Sequence, residues 1–176
     1  MIKNRFNLLN MISFYIYWYL CILGPSKGSY YLGPIFAILY FTIHFIYTQN
    51  KINDFKLFFI CGILGLAVES IFDYSGFITY KGILMDKFNV IPLWVIILWF
   101  GFGLTLLHSF KWILGQYSLS LLLGGFFAPF FYISAHKLSS IIINYNLFYS
   151  YIVLAILWSL IFLFINIIAT TIHASN

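Results

Sequence analysis

The sequence predicts an all-α, polytopic transmembrane bundle of about six helices, folded as one domain. Composition is the first reason: 63% of the 176 residues are hydrophobic and only 7% are charged. A soluble domain covers its surface with roughly 25% charged residues, so most of this surface must face lipid. Segment length is the second. A bilayer core about 30 Å thick needs about 20 apolar helical residues, and six segments meet or approach that length: 7–24, 29–48, 57–79, 90–110, 117–135 and 148–171. The short connections between them are the third, because they make consecutive helices antiparallel neighbours.

Lys3 and Arg5 precede the first segment in the manner of a signal peptide. The apolar run from Asn7 to Gly24 is too long for a typical signal core, and no small-residue cleavage pattern follows it, so it reads as a retained helix. Gly24, Pro25, Ser26, Lys27 and Gly28 make a turn by composition. The second segment carries His44 near its end. Lys51, Asp54 and Lys56 mark a polar loop before the third segment, and Lys81 to Lys87 mark another after it. Pro92 suits the first turn of the fourth helix, where a missing N–H costs nothing. Residues 136–147 read either as an interfacial helix along the headgroups or as an extension of the fifth or sixth span.

The net charge of +5 comes from nine basic against four acidic residues. The basic residues stand singly between apolar blocks, as helix-end anchors and topology signals rather than as a nucleic-acid patch. An N-terminus in the cytoplasm places Lys3, Arg5, Lys51, Lys56 and Lys111 inside. Lys27, Lys81, Lys87 and Lys137 then lie outside. The pair at the N-terminus favours that orientation, with both termini cytoplasmic. Cys21 and Cys61 lie within apolar blocks, near opposite ends of their spans, and read as small hydrophobes rather than a disulfide. No cysteine pattern suggests a metal, and no cofactor is expected.

A charged side chain in a span costs on the order of 2.5–3.5 kcal/mol on insertion scales, so each needs a reason. Glu69 and Asp73 lie one turn apart in the series Gly62, Gly65, Glu69, Asp73, Gly76, Tyr80. Steps of three and four residues place all of these on one helical face. Small residues on that face let a second helix approach closely, and the acids must turn inward. Glu69 then either handles a proton or a substrate, or fixes helix packing through hydrogen bonds. For Asp73, nearer the surface, the packing reading is favoured.

In the fourth segment Trp94, Leu98, Gly101, Thr105, His108 and Trp112 form one stripe, with Trp94 and Trp112 as interface anchors. His108 and Lys111 share a face beside Ser109, a combination able to hold a phosphate headgroup or other anion; a snorkelling Lys and interfacial His is the plainer reading. In the fifth segment Pro129 follows Gly124 and Gly125. A kink there either lines a ligand path or, the favoured reading, adapts packing. At about 1.5 Å per residue, Glu69 lies roughly 18 Å from the cytoplasmic side and His108 about 3 Å, so the two cannot touch. Glu69 is level with Trp99 and Pro129, Asp73 with Tyr132, and His44 with His108. The sequence thus offers a row of inward polar groups rather than a compact Glu–His site. The candidate catalytic residues are Glu69, Asp73 and His108, and the candidate binding residues are Trp99, Thr105, Lys111 and Tyr132.

The run Pro92, Leu93, Trp94 with Trp99, followed by Thr105, Leu106, His108, Ser109, Lys111 and Trp112, resembles a family of small bacterial inner-membrane proteins known as domain of unknown function 2878. The acid of the third span and Gly124, Gly125, Pro129 and Tyr132 are similar to that family's pattern, over roughly residues 55–140. Lys111 departs from the arginine expected there, which exchanges a planar fork for a point charge. The resemblance implies an inner-membrane location, and its members stand beside genes for fatty-acid and lipid modification. A fainter similarity is to integral-membrane carotenoid cyclases and hydratases.

Three functions follow as expectations. The first is a lipid-linked role, as an enzyme or accessory acting on acyl or isoprenoid chains. The second is a non-catalytic scaffold, partnered by lipid-modifying enzymes or by its own copies. The third is a small proton-coupled permease.

Overall fold

The computed structural model describes residues 2–82 and 91–175, with side chains from Arg5 onward. Among these residues the chain forms six α-helices: α1 (Ile2–Ser26), α2 (Leu32–Tyr47), α3 (Lys51–Tyr74), α4 (Leu93–Gly103), α5 (Tyr117–Lys137) and α6 (Leu147–Ala174). They fall on the six apolar segments. Four of them, α1, α3, α5 and α6, are long and apolar enough to cross a membrane, while α2 and α4 are shorter. The first helix runs on to Ser26, through Pro25, so the turn expected at Gly24 begins only after Ser26.

Side chains that face outward are apolar, as lipid contact requires. Ile35, Ile63, Leu122, Phe148 and Ile156 are all more than half exposed. Inward packing depends on small residues. A Cβ on Gly65 would fall 2.0 Å from Trp99 Cγ, and one on Gly62 would fall 2.3 Å from the ring of Phe100. The glycine face expected on the third helix is therefore the seam on which α4 sits. Gly124 and Gly125 do the same for α5 against α6, each lying against the Trp158–Ser159 turn. Helix α5 is continuous through Pro129.

Other boundaries also differ from expectation. The third helix starts at Lys51, within the expected polar loop, and stops at Tyr74 rather than continuing to residue 79. Gly76 takes a left-handed φ of 68°, and the chain reverses into a strand, β1 (Ile78–Tyr80). Residues 136–147 are neither an interfacial helix nor a simple extension. Helix α5 runs to Lys137, and Ile141–Ile143 then forms β2, antiparallel to β1 with Ile78 opposite Ile143 and Tyr80 opposite Ile141. Three consecutive isoleucines are β-branched and favour this geometry. The alternation of the pair turns Ile78, Tyr80, Ile141 and Ile143 into the core. Most of the expected Lys81–Lys87 loop lies outside the described residues.

The fourth helix ends at Gly103, not at residue 110. From Leu104 onward the backbone continues in three-residue turns, among them Thr105 N–H to the Phe102 carbonyl and His108 N–H to the Thr105 carbonyl. Irregular backbone at membrane depth must be enclosed by protein, and Leu104, Thr105, Leu106 and Leu107 are all buried. Because the helix has ended, the stripe expected from Trp94 to Trp112 does not exist. Trp94 is buried, donating from Nε1 to the Lys81 carbonyl at 2.9 Å, rather than anchoring at an interface. Trp112 is 57% exposed.

Candidate functional site

Helix α3 carries Glu69 inward at 3% exposure. Three donors from three other elements converge on its carboxylate. Trp99 of α4 donates from Nε1 to Oε1 at 2.8 Å, Tyr132 of α5 donates to the same oxygen at 2.5 Å, and Tyr80 of β1 donates to Oε2. A buried charge is tolerable only when its lone pairs are satisfied, and these three bonds do that. Tyr80 reaches Glu69 because the chain reverses at Gly76, not because the two residues share a helical face. Trp99 is held from behind by stacking on Trp158, with ring centroids 4.9 Å apart.

Glu69, Tyr80, Trp99 and Tyr132 all line a cavity of about 510 Å³ between α1, α4, α5 and α6. Its other walls include Trp18, Trp94, Leu98, Phe127, Phe131 and Trp158. Among the described residues that line it, Glu69 alone is charged. The volume lies within the roughly 300–1,000 Å³ of small-molecule sites, which are mostly apolar with a few placed polar groups. A carboxyl here can take up or release one proton, because the tyrosine hydroxyls can accept as well as donate.

The opposite end of the bundle holds a second polar centre. Asp54, in the first turn of α3, is fully buried. It receives Nε2 of His44 at 3.0 Å, Nε2 of His108 at 2.9 Å and the Thr48 hydroxyl at 2.5 Å, all on Oδ2, and His108 also reaches Oδ1 at 3.0 Å. The turns after α4 are what bring His108 onto α3. Behind His44 stands Asn10 of α1, whose Nδ2 lies 3.1 Å from His44 Nδ1, 3.1 Å from the Tyr40 hydroxyl and 3.3 Å from the Leu104 carbonyl. Ser109 donates to Asn10 Oδ1 at 2.5 Å and also lines the cavity.

The expected single polar row is thus two centres. Glu69 and His108 belong to separate networks, as depth counting implies. Tyr132 joins Glu69 rather than lying level with Asp73. Asp73 is half-buried at the end of α3 and shares neither hydrogen-bond network. Thr105 turns its hydroxyl onto the Phe102 carbonyl at 2.6 Å, sealing the end of α4. Lys111 is half-buried in a 3₁₀ turn (Lys111–Ile113), and His108 faces Asp54 instead of pairing with it. Asp54 is helical and buried, not part of the polar loop that its flanking lysines suggest, and no motif marks it, Asn10 or Thr48 in the sequence. One signal was available: His44 and His108 share a depth, and the first turn of α3 lies at that same depth.

No curated protein and no solved structure matches the chain. Residues 7–164 match the family model described as Protein of unknown function (DUF2878), and the chain is a member of that family.

Proposed function

We propose that the protein holds an acyl or isoprenoid chain in its aromatic cavity and that Glu69 handles a proton on that chain. This makes it an enzyme, or an accessory to one, in membrane-lipid or fatty-acid modification. One observation carries the reading: the sole charged residue among the described residues lining an apolar cavity is a carboxylate held by three donors on separate elements. An apolar wall recognises hydrocarbon without directional bonds, and a fixed acid supplies a group able to protonate or deprotonate it.

We place the protein in a bacterial cytoplasmic membrane with both termini inside. Asn7 meets Ser109, and Asn53 meets Ile172, so both termini share the end that carries Arg5, Lys51, Lys56 and Lys111. Positive charge favours the cytoplasmic side.

The test is lipid mass spectrometry of a strain lacking the gene, complemented with the wild type or with Glu69→Gln. Deletion is expected to change the lipid profile. The wild type should restore it, and Glu69→Gln should not, although it accumulates to the same level. An unchanged profile on deletion, or full rescue by the glutamine variant, would overturn the proposal.

A further inference from the structure

The Asp54 centre has a geometry that the proposed lipid role leaves unused. We propose that His44, Asp54 and His108 bind one divalent transition-metal ion of the zinc type. The three ligands come from three elements: the last turn of α2, the first turn of α3 and the turns that follow α4. Each histidine presents the same atom, Nε2, to the same carboxylate, and the three donor atoms lie within 4.8 Å of one another. Around a tetrahedral ion with bonds of about 2.0–2.1 Å, neighbouring ligand atoms stand roughly 3.3 Å apart. The two histidine–carboxylate separations of 3.0 and 2.9 Å need only a small expansion, and the two Nε2 atoms, within 4.8 Å of each other, must settle at the same spacing.

Charge and surroundings point the same way. Asp54 is fully buried, and its ion-pair partners among the described residues are the two histidines. Neutral histidines leave that carboxylate uncompensated, a costly state in a low-dielectric interior, whereas a divalent ion compensates it fully. Groups that orient metal ligands are in place. The Thr48 hydroxyl holds Asp54 Oδ2. Asn10 stands at His44 Nδ1; turning its amide presents oxygen to an Nδ1–H and nitrogen to Ser109, at the loss of its bond to the Leu104 carbonyl. The Phe6 ring covers both imidazoles, edge-on to His108 at 5.0 Å and tilted to His44 at 5.6 Å. His108, with 11% of its side chain exposed, is the ligand nearest an opening and marks where a fourth ligand would enter.

The competing arrangement is a hydrogen-bonded cluster that ties α2, α3 and the turns after α4 together. The two differ in tautomer: in the cluster both Nε2 atoms carry protons, whereas a metal ion takes their lone pairs and leaves each neutral ring protonated at Nδ1.

The test uses the full-length protein in detergent, stripped with EDTA and titrated with Zn²⁺ alone. About one zinc per chain should survive desalting, with a raised Tm. Asp54→Asn, close to isosteric, and His108→Ala should each weaken retention at least about tenfold, whereas His136→Ala should not. Wild-type protein that is folded yet keeps less than about 0.1 zinc per chain overturns the site. So does equal retention by Asp54→Asn. Should the variants fail to fold, Co²⁺ in the wild type decides: visible bands of a four-coordinate His/carboxylate site support the proposal, and six-coordinate aqueous bands refute it.

Discussion

Gly65→Ala is a small change whose cost can be worked from the structure. The added Cβ would lie 2.0 Å from Trp99 Cγ, 2.3 Å from Cδ2 and 2.4 Å from Cβ. These atoms are the root of the side chain, so no rotation of a flexible tip relieves the contact. Retreat is blocked, because Trp99 stacks at 4.9 Å on Trp158 of α6. The clash must open the α3–α4 seam by about 1 Å, an overpacking that costs about 1–3 kcal/mol. The same shift draws Nε1 away from Glu69 Oε1, now 2.8 Å distant. Interhelical hydrogen bonds in membranes are worth about 0.6–1.7 kcal/mol. Together the losses come to about 2–5 kcal/mol, and at about 2–4 °C per kcal/mol the Tm should fall by roughly 4–20 °C.

Thermal unfolding in detergent, followed by tryptophan fluorescence, measures this, and Gly62→Ala is the internal comparison. Its Cβ meets the far edge of the Phe100 ring, at Cε1 and Cζ, which can swing aside more easily. Its Tm should therefore fall less. A Gly65→Ala protein that melts within about 2 °C of wild type, with unchanged emission, would refute the assignment of Trp99 to this seam.

Tyr132→Phe keeps the ring and deletes one donor to Glu69 Oε1. It should lower stability by about 0.6–1.7 kcal/mol, and adding Tyr80→Phe should cost more than the sum of the separate changes, since Glu69 then keeps only Trp99; a double-mutant cycle of thermal unfolding reads this directly. Asn144→Ala removes the side-chain bonds to the Gly76 carbonyl and Thr79 hydroxyl, both 2.9 Å. Hydrogen exchange should then quicken at Ile78 to Tyr80 while the Trp99 region of α4 stays protected; equal exchange in both proteins would argue against the β1–β2 pairing.

Composition and segment length determined the helical membrane class, because lipid imposes a requirement that each segment meets on its own. The α3 glycine face was equally readable, since helical periodicity places Gly62, Gly65 and Glu69 together before any partner is known. Depth counting also set Trp99 level with Glu69, although only the packing of α4 on α3 brings the two into contact. What the chain order could not fix was where each helix stops. The reversal at Gly76 depends on β1 finding Ile141–Ile143, more than 60 residues away, and it is that pairing which sends Tyr80 to Glu69. The end of α4 at Gly103 likewise depends on a buried niche for Leu104 to Leu107, and it is that irregular stretch which carries His108 onto Asp54. Local periodicity predicts a face; a ligand set assembled from three elements exists only once those elements are packed. Asp54 shows the difference most plainly, for its flanking residues Lys51 and Lys56 describe a polar loop, and only the neighbours supplied by α2 and the turns after α4 make it the centre of a buried site.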